Sequence, residues 1–455
     1  MSADCAHERS HIVDSVPHGR GFAVAASRRI FCDRCRLQRW LDVEAALALA
    51  QAEVGLIPEA AAAEIARAAR LDRLDLEDIV ESHAQTSHSL VPLVRALQSA
   101  CAGGAGELVH YGATTQDIQD TAQVLEMREV LDEVERRVAR IVQRLASIAV
   151  AHRASLMVGR THSIPALPIT FGLKVASWID ELSRHAERIA QARPRLLVVQ
   201  LFGGVGSMAA FGPRALEVAE AFARRLSLGC PSLGWHASRD RIAEYVVLLA
   251  SLAATQARIA DELRTLSRPE IGELSLVASE SRISSSTMPH KRNPDDCEQI
   301  VALARLARAQ VQLVMEGMVV EHERDFRGTR TEWCAVPDAS HYTVAALHFL
   351  EAELAHVDVR PEIMAAHAHA CRDALCAEAL TFEMGRRMGK DAAFRRILEL
   401  SNQSHQGGTP LHALLLQAED VLAAVGGEAN LHRILDPGGY LGATDALITR
   451  VLAKV

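Results

Sequence analysis

Between residues 284 and 298 the chain reads SSSTMPHKRNPDDCE. Pro289 and Pro294 have no N–H, and each pushes the residue before it out of helical geometry. The stretch is therefore an irregular loop between two strong helical patterns, at 239–268 and 295–316. Loops that gather Ser, His, Lys and Asn usually do chemistry rather than packing. A serine alkoxide in such a loop needs nearby positive charge and amide donors, and Lys291, His290, Arg292 and backbone N–H groups are of the types that supply them.

Four other stretches carry reactive or charged side chains. LVHYGATTQDIQDTA, residues 108–122, breaks from a glycine-rich segment into a helix start, where free N–H groups and the helix dipole favour a carboxylate. Ordinary N-capping accounts for Thr114, Thr115 and Asp117, but not for the His110-Tyr111-Gly112 beside them, and carboxylate binding is the expectation. GRTHSIPALPITFG, residues 159–172, carries His162. WHASRDR, residues 235–241, carries Arg239 and Arg241 near the start of a long helix. EHERDFRGTRTEW, residues 321–333, sets Arg324, Arg327 and Arg330 beside Asp325, which reads equally as a solvated charged turn and as a substrate-positioning segment. His83 and His88 lie between two N-terminal helices. GGVG at 203–206 lacks the GK[ST] of a phosphate loop and reads as a tight connection.

The loop at 284–298 resembles the signature GSSxMPxKxN of the fumarase/aspartase superfamily, with Ser284 in place of the glycine. The segment at 108–122 resembles the second motif, HxGxTSxDxxDTA, with Thr115 at the usual serine. The segment at 159–172 resembles GRTHxQxAxPxTFG, with Ile164 at the usual glutamine. On these three motifs, in the expected order within a resemblance covering about residues 30–350, the chain is identified as a member of that superfamily. The resemblance implies a lyase that eliminates across a succinate-type carbon pair. Ser285 would be the general base, His162 would protonate the leaving group, and Glu298 would pair with His162. Lys291, Asn293, Ser286, His110, Thr114, Thr115, Gln116, Arg239 and Arg324 would contact a small dicarboxylate-type substrate. His88 falls where adenylosuccinate lyases place a histidine just before a helix. Relatives need no metal or organic cofactor, and they assemble their sites across three subunits of a homotetramer.

The branch is less defined. RWLDVEAALALAQAEVG, WHASRDRIAEY and MPHKRNP resemble the 3-carboxy-cis,cis-muconate cycloisomerases, whereas His110, His162 and Glu298 resemble adenylosuccinate lyase. A specialised N-linked succinate, nitro- or amino-substituted, fits both leanings. An inactive, crystallin-like member is the alternative of another class, and intact Ser285, Lys291, Asn293 and His162 argue against it. Ile164 offers neither donor nor acceptor, so the leaving group is expected to be small or to touch that wall little.

These groups need helices to hold them. The composition, 4% aromatic and rich in Ala, Leu, Arg and Glu, favours helix. From Ala113 to Val158 there is neither Gly nor Pro, and Ile118, Ala122, Leu125, Leu131, Val134, Val138, Ile141, Leu145 and Ile148 step by three and four. That pattern predicts a bundle helix of roughly 60 Å at ~1.5 Å per residue. An all-α fold of three helical domains is expected: 1–108, a central long-helix bundle at 109–355, and 356–455. A net charge of −8 gives no reason to expect nucleic acid or a bilayer as partner. No apolar run approaches the ~20 residues that span a membrane. Nine cysteines without a disulfide framework point to a reducing cytoplasm. Cys32 and Cys35 form the one CxxC; with no second pair, no nearby His ligands and no βαβ context, they are expected to be incidental helix residues.

Overall fold

The all-α expectation is met in the computed structural model, which describes residues 11–276, 287–288 and 290–455. These residues form two compact units. One takes residues 11–138 with 184–260 and 296–350; the other takes 139–183, the described residues between 261 and 295, and 351–455.

In the first unit, α1 (Ala25–Phe31), α2 (Asp33–Glu53), α3 (Glu59–Ala68), α4 (Leu76–Thr86) and α5 (Val91–Ala100) precede the long helices. Leu41, Leu47 and Ala48 of α2 bury one stripe against Ile65 of α3 and Leu93 and Leu97 of α5. α6 (Thr115–Ala151) is about 55 Å long at ~1.5 Å per residue. All nine residues of the seam read from its sequence are buried. The helix stops seven residues short of the end of the Gly/Pro-free run. His152 hydrogen-bonds the Ser155 hydroxyl at 3.1 Å in a turn, Gly172 N–H bonds back to the His152 carbonyl at 2.9 Å, and the chain continues as a strand.

That strand, β1 (Leu156–Thr161), pairs antiparallel with β2 (Ile164–Thr170), Thr161 facing Ile164, with a register shift between Gly159 and Arg160. α7 (Phe171–Leu196), α8 (Ala215–Leu226) and α9 (Asp240–Leu266) follow. α9 is long and apolar enough to cross a membrane by composition, with a window of mean hydropathy 1.3, but 61% of that window is buried. It behaves as a core helix. β3 (Leu274–Leu276) pairs with β4 (Val357–Val359), and between them run α10 (Asp295–Gly317) and α11 (Phe326–His356). In the second unit, short helices from α12 (Pro361–Ala370) to α19 (Thr444–Leu452) fill the chain's end. Leu375, Leu380, Met384, Ile397, Leu415, Val421 and Leu431 pack there with Val158 of β1.

Candidate active site

The helix start at Thr114–Thr115 is wired from several sides. Asp117, in the first turn of α6, accepts the Thr114 N–H at 3.0 Å while its own N–H reaches the Thr114 carbonyl at 2.9 Å. This is one half of a capping box, the N3 side chain reaching back to the N-cap N–H. Asp117 therefore does the capping, and the Thr114 hydroxyl is turned elsewhere: it accepts a hydrogen bond from Arg324 Nη2 at 3.0 Å. A guanidinium thus stands at the positive end of a long helix, an arrangement suited to a carboxylate. The Asp117 carboxylate also accepts the N–H groups of Phe202 and Gly203 at 3.0 and 2.9 Å and meets His236 Nε2 at 2.9 Å. The glycine-rich bend expected from GGVG is held against the site by those two bonds.

Just before Thr114, His110 adopts a left-handed φ of 61°. Its Nδ1 is 2.6 Å from Glu44 Oε1 on α2. Burial disfavours the charged ring, but the hydrogen bond and charge of Glu44, with Asp117 behind, outweigh it and raise the pKa above the ordinary histidine value. Gln51, two turns along α2, donates to the Tyr111 carbonyl at 2.7 Å. Between these anchors Gly112 has a φ of 76°, and a Cβ there would stand 2.7 Å from Phe211. Only glycine fits both the conformation and the space.

Gln116 is buried and donates to Asp120 at 3.1 Å and the His236 carbonyl at 3.2 Å. Arg239 lies in the same network. Its guanidinium gives bonds of 2.7 and 3.0 Å to Asp120 and of 2.8 Å to Glu332, and it stacks 4.9 Å above the Trp235 ring. With its side chain 1% exposed, Arg239 faces the chain's own carboxylates where a substrate contact was expected. The paired carboxylates hold it cationic. Burial and the charge of Asp120 push Glu332 up, against the pull of Arg239. His88 takes the N–H groups of Leu90 and Val91 on Nδ1 at 3.3 and 3.1 Å, capping the start of α5.

The segment 321–333 divides in two. Arg324 turns to Thr114, while Asp325 caps α11 through the Arg327 N–H at 2.8 Å and pairs with the Arg327 guanidinium at the surface. The Arg327 hydrogen bonds hold Asp325 well below the usual carboxylate range. Arg330 lies 5.5 Å over the Phe326 ring.

In the second unit, His162 and Ser163 form the two-residue tip of the β1–β2 hairpin, with φ of 51° and 65°. Two successive positive φ values at non-glycine residues are costly and match the turn that right-twisted hairpins favour. The hairpin is anchored below its tip. Arg160 makes bonds of 2.6 and 3.1 Å to the buried Glu273, which also meets His367 at 2.9 Å. His162 and Ile164 are exposed, as is Lys291 in its turn; Asn293 is half-buried. Glu298 is exposed in the first turn of α10. Ser285 and Ser286 lie outside the described residues.

The structure thus gathers His110, Thr114, Thr115, Gln116 and Arg324 around one helix start and leaves His162, Lys291 and Glu298 on exposed surface. Sequence reading missed Glu44, Asp120, His236 and Glu332. One signal was present: Glu44 is the lone carboxylate in VEAALALA, an apolar run with no surface to receive it. Among the described residues no group of His, Cys, Asp and Glu is arranged to hold a metal ion.

Long helices carry both the Thr114 helix start and the His162 hairpin, an all-α scaffold. Residues 21–311 match the family model described as Lyase. The chain is 39% identical over 444 residues, 98% of its length and 97% of the relative's, to an N-acetyl-S-(2-succino)cysteine lyase of Enterococcus italicus. It is 36% identical, over 95% of both chains, to a 3-carboxy-cis,cis-muconate cycloisomerase of Pseudomonas aeruginosa. A crystal structure of a fumarate lyase from Mesorhizobium sp. BNC1 superposes with a TM-score of 0.89 at 34% identity, covering 96% of this chain and 99% of that one. The chain belongs to the lyase family of the fumarase/aspartase superfamily.

Proposed function

We propose that the protein eliminates a thiol from a thioether-linked succinate, of the N-acyl-S-(2-succino)cysteine class, to give fumarate. The observation that carries this reading is the Thr114 hydroxyl, withdrawn from capping and bonded to Arg324 at the N-terminus of α6. It prepares a seat for one succinate carboxylate, flanked by His110 and Thr115. The other support is Ile164. A thiol has a pKa near ~8.5, well below an amine or alcohol, so a thiolate departs with little help from an acid or a hydrogen-bonding wall. An exposed isoleucine near His162 suits such a group better than a polar, nitrogen-linked one, and the activity for which the Enterococcus relative is named lies in the same direction.

In the reaction Ser285 takes the proton from the carbon next to one carboxylate. The electron pair forms the C=C bond, and the C–S bond breaks towards sulfur. Charge grows on the carboxylate attached to the carbon that loses its proton, where Thr114, Thr115, Lys291, Asn293 and Arg324 offer donors. His162, oriented by Glu298, returns a proton to the thiolate. Arg239, Asp120 and Glu332 act as positioning residues behind Gln116. Elimination needs a site closed to water, and His162, Lys291 and Glu298 are exposed on the single chain. A homotetramer whose copies complete one another's sites accounts for that exposure.

The test is fumarate release from a panel: N-acetyl-S-(2-succino)cysteine, its free-amine form, an aminosuccinate derivative, adenylosuccinate and 3-carboxy-cis,cis-muconate. The thioether is expected to turn over fastest, and Ser285→Ala is expected to lower that rate at least ~10²-fold with fold and assembly kept. Lactone formation from carboxymuconate without fumarate from any thioether would establish the cycloisomerase instead, the reading that the Pseudomonas relative supports.

A further inference from the structure

The start of α2 places two thiols in one helical turn. Cys32 is not a helix residue. It sits at the N-cap with extended φ and ψ of −67° and 145°, and its sulfur accepts the Cys35 N–H at 3.4 Å. Serine, threonine, aspartate and asparagine are the usual caps, so a thiol here is a chemical departure as well as a structural one. Both cysteines are free, Cys32 exposed and Cys35 half-buried. We propose that Cys32 and Cys35 are a redox-modification site, closing reversibly to a disulfide at the expense of a small-molecule disulfide.

Geometry carries the pairing. Cα atoms three residues apart at a helix start are separated by about 5 Å, inside the range of about 4.4–6.8 Å that a disulfide requires. Closure then needs side-chain rotation without backbone movement. The proximity of Cys32, followed by burial, pushes the Cys35 thiol up. Accessibility separates their roles. Cys32 opens on a cavity of about 540 Å³ bordered by Arg28, Phe31, Asp33, Arg36 and His341, so an incoming disulfide meets it first. Cys35, more covered and held protonated, is the resolving thiol.

The step balances. The Cys32 thiolate attacks one sulfur of the small disulfide, expels one thiolate and forms a mixed disulfide. The Cys35 thiol loses its proton, its sulfur attacks that of Cys32, and the second small thiol leaves. Two protein thiols are oxidised and one disulfide is reduced to two thiols.

Reduced full-length protein equilibrated in mixtures of glutathione and glutathione disulfide, then alkylated, digested and weighed, tests this. The expected result is a peptide holding Cys32 and Cys35 that has lost two hydrogens, resists alkylation and is restored by dithiothreitol. Cys35→Ser should stop at one glutathione on Cys32. Cys32→Ser, which keeps a hydroxyl cap and so the helix start, should leave Cys35 alkylatable throughout. Full alkylation of the pair in the most oxidising mixture, a disulfide from Cys32 to Cys334 on the same cavity, or an unmodified Cys32 in Cys35→Ser would each overturn the proposal.

Discussion

The helix start at Thr114 and the hairpin tip at His162 take opposite approaches to holding reactive groups. Around Thr114 the polar neighbours are tied: Asp117 to four partners, His110 to Glu44, Arg239 to two carboxylates, nearly all of it out of water. Around His162 the anchoring stops below the tip, at Arg160 and Glu273, and the histidine itself projects with Ile164 into solvent. The difference teaches which region should answer to stability and which to chemistry. A buried polar network is costly to break from one side, so changes near Thr114 register first in folding. Changes at the hairpin tip should leave folding alone and register in turnover.

The largest effect is expected at Arg239. Replacing it with Leu leaves Asp120 and Glu332 facing each other without a cation inside the helix packing, a loss of ~3–5 kcal/mol. Chemical or thermal unfolding of Arg239→Leu measures it, and the double change Arg239→Leu with Glu332→Gln should recover part of the loss. Should Arg239→Leu unfold no more easily than the parent chain, the contrast between the two regions would collapse.

A smaller effect, with a pH signature, is expected at Glu44. The pair with His110 raises the histidine's pKa in the folded chain. Its stabilisation is therefore complete below the unfolded value near ~6.5 and is lost as pH rises through the raised folded value. Glu44→Gln should cost ~1.5–3 kcal/mol at pH 6, in the range of hydrogen bonds to charged groups. That difference should shrink steadily towards pH 9. A penalty that stays flat with pH would mean that Glu44 acts through packing and not through the charge on His110.

The two regions were also unequally legible. The seam of α6, from Ile118 to Ile148, could be read residue by residue because its information is periodic and local. The helix start was legible as a motif, and so was His162. The wiring was not. His236 reaches Asp117 across 119 positions and Glu332 reaches Arg239 across 93; no spacing rule connects such pairs, and only packing brings them together. The hairpin escaped for a different reason. Its strands are short, and Pro165 and Pro168 interrupt an alternation that would otherwise signal β structure.

The smallest effect on stability, and the sharpest on specificity, is expected at Ile164. Its side chain is 65% exposed on the single chain, and substitutions at such positions change stability by no more than ~0.5 kcal/mol. Yet it stands across the β1–β2 ladder from Thr161, next to Ser163 and two residues from His162 at the turn, where, on the proposed mechanism, it borders the leaving group. Ile164→Gln adds a donor and an acceptor there. A hydrogen bond made in the site contributes ~0.5–1.5 kcal/mol net, so the ratio of kcat/KM for an amino-linked over a thioether-linked succinate should rise by up to ~10-fold. The thioether rate itself should hold or fall, because a thiolate gains little from the amide, and burying the amide unpaired against sulfur costs energy. An unchanged ratio would place the leaving group away from residue 164. If the parent chain already preferred adenylosuccinate over every thioether, the role given to Ile164 and the choice of sulfur as the leaving atom would fail together, since a nucleotide buried against an isoleucine wall would have found its polar partners elsewhere.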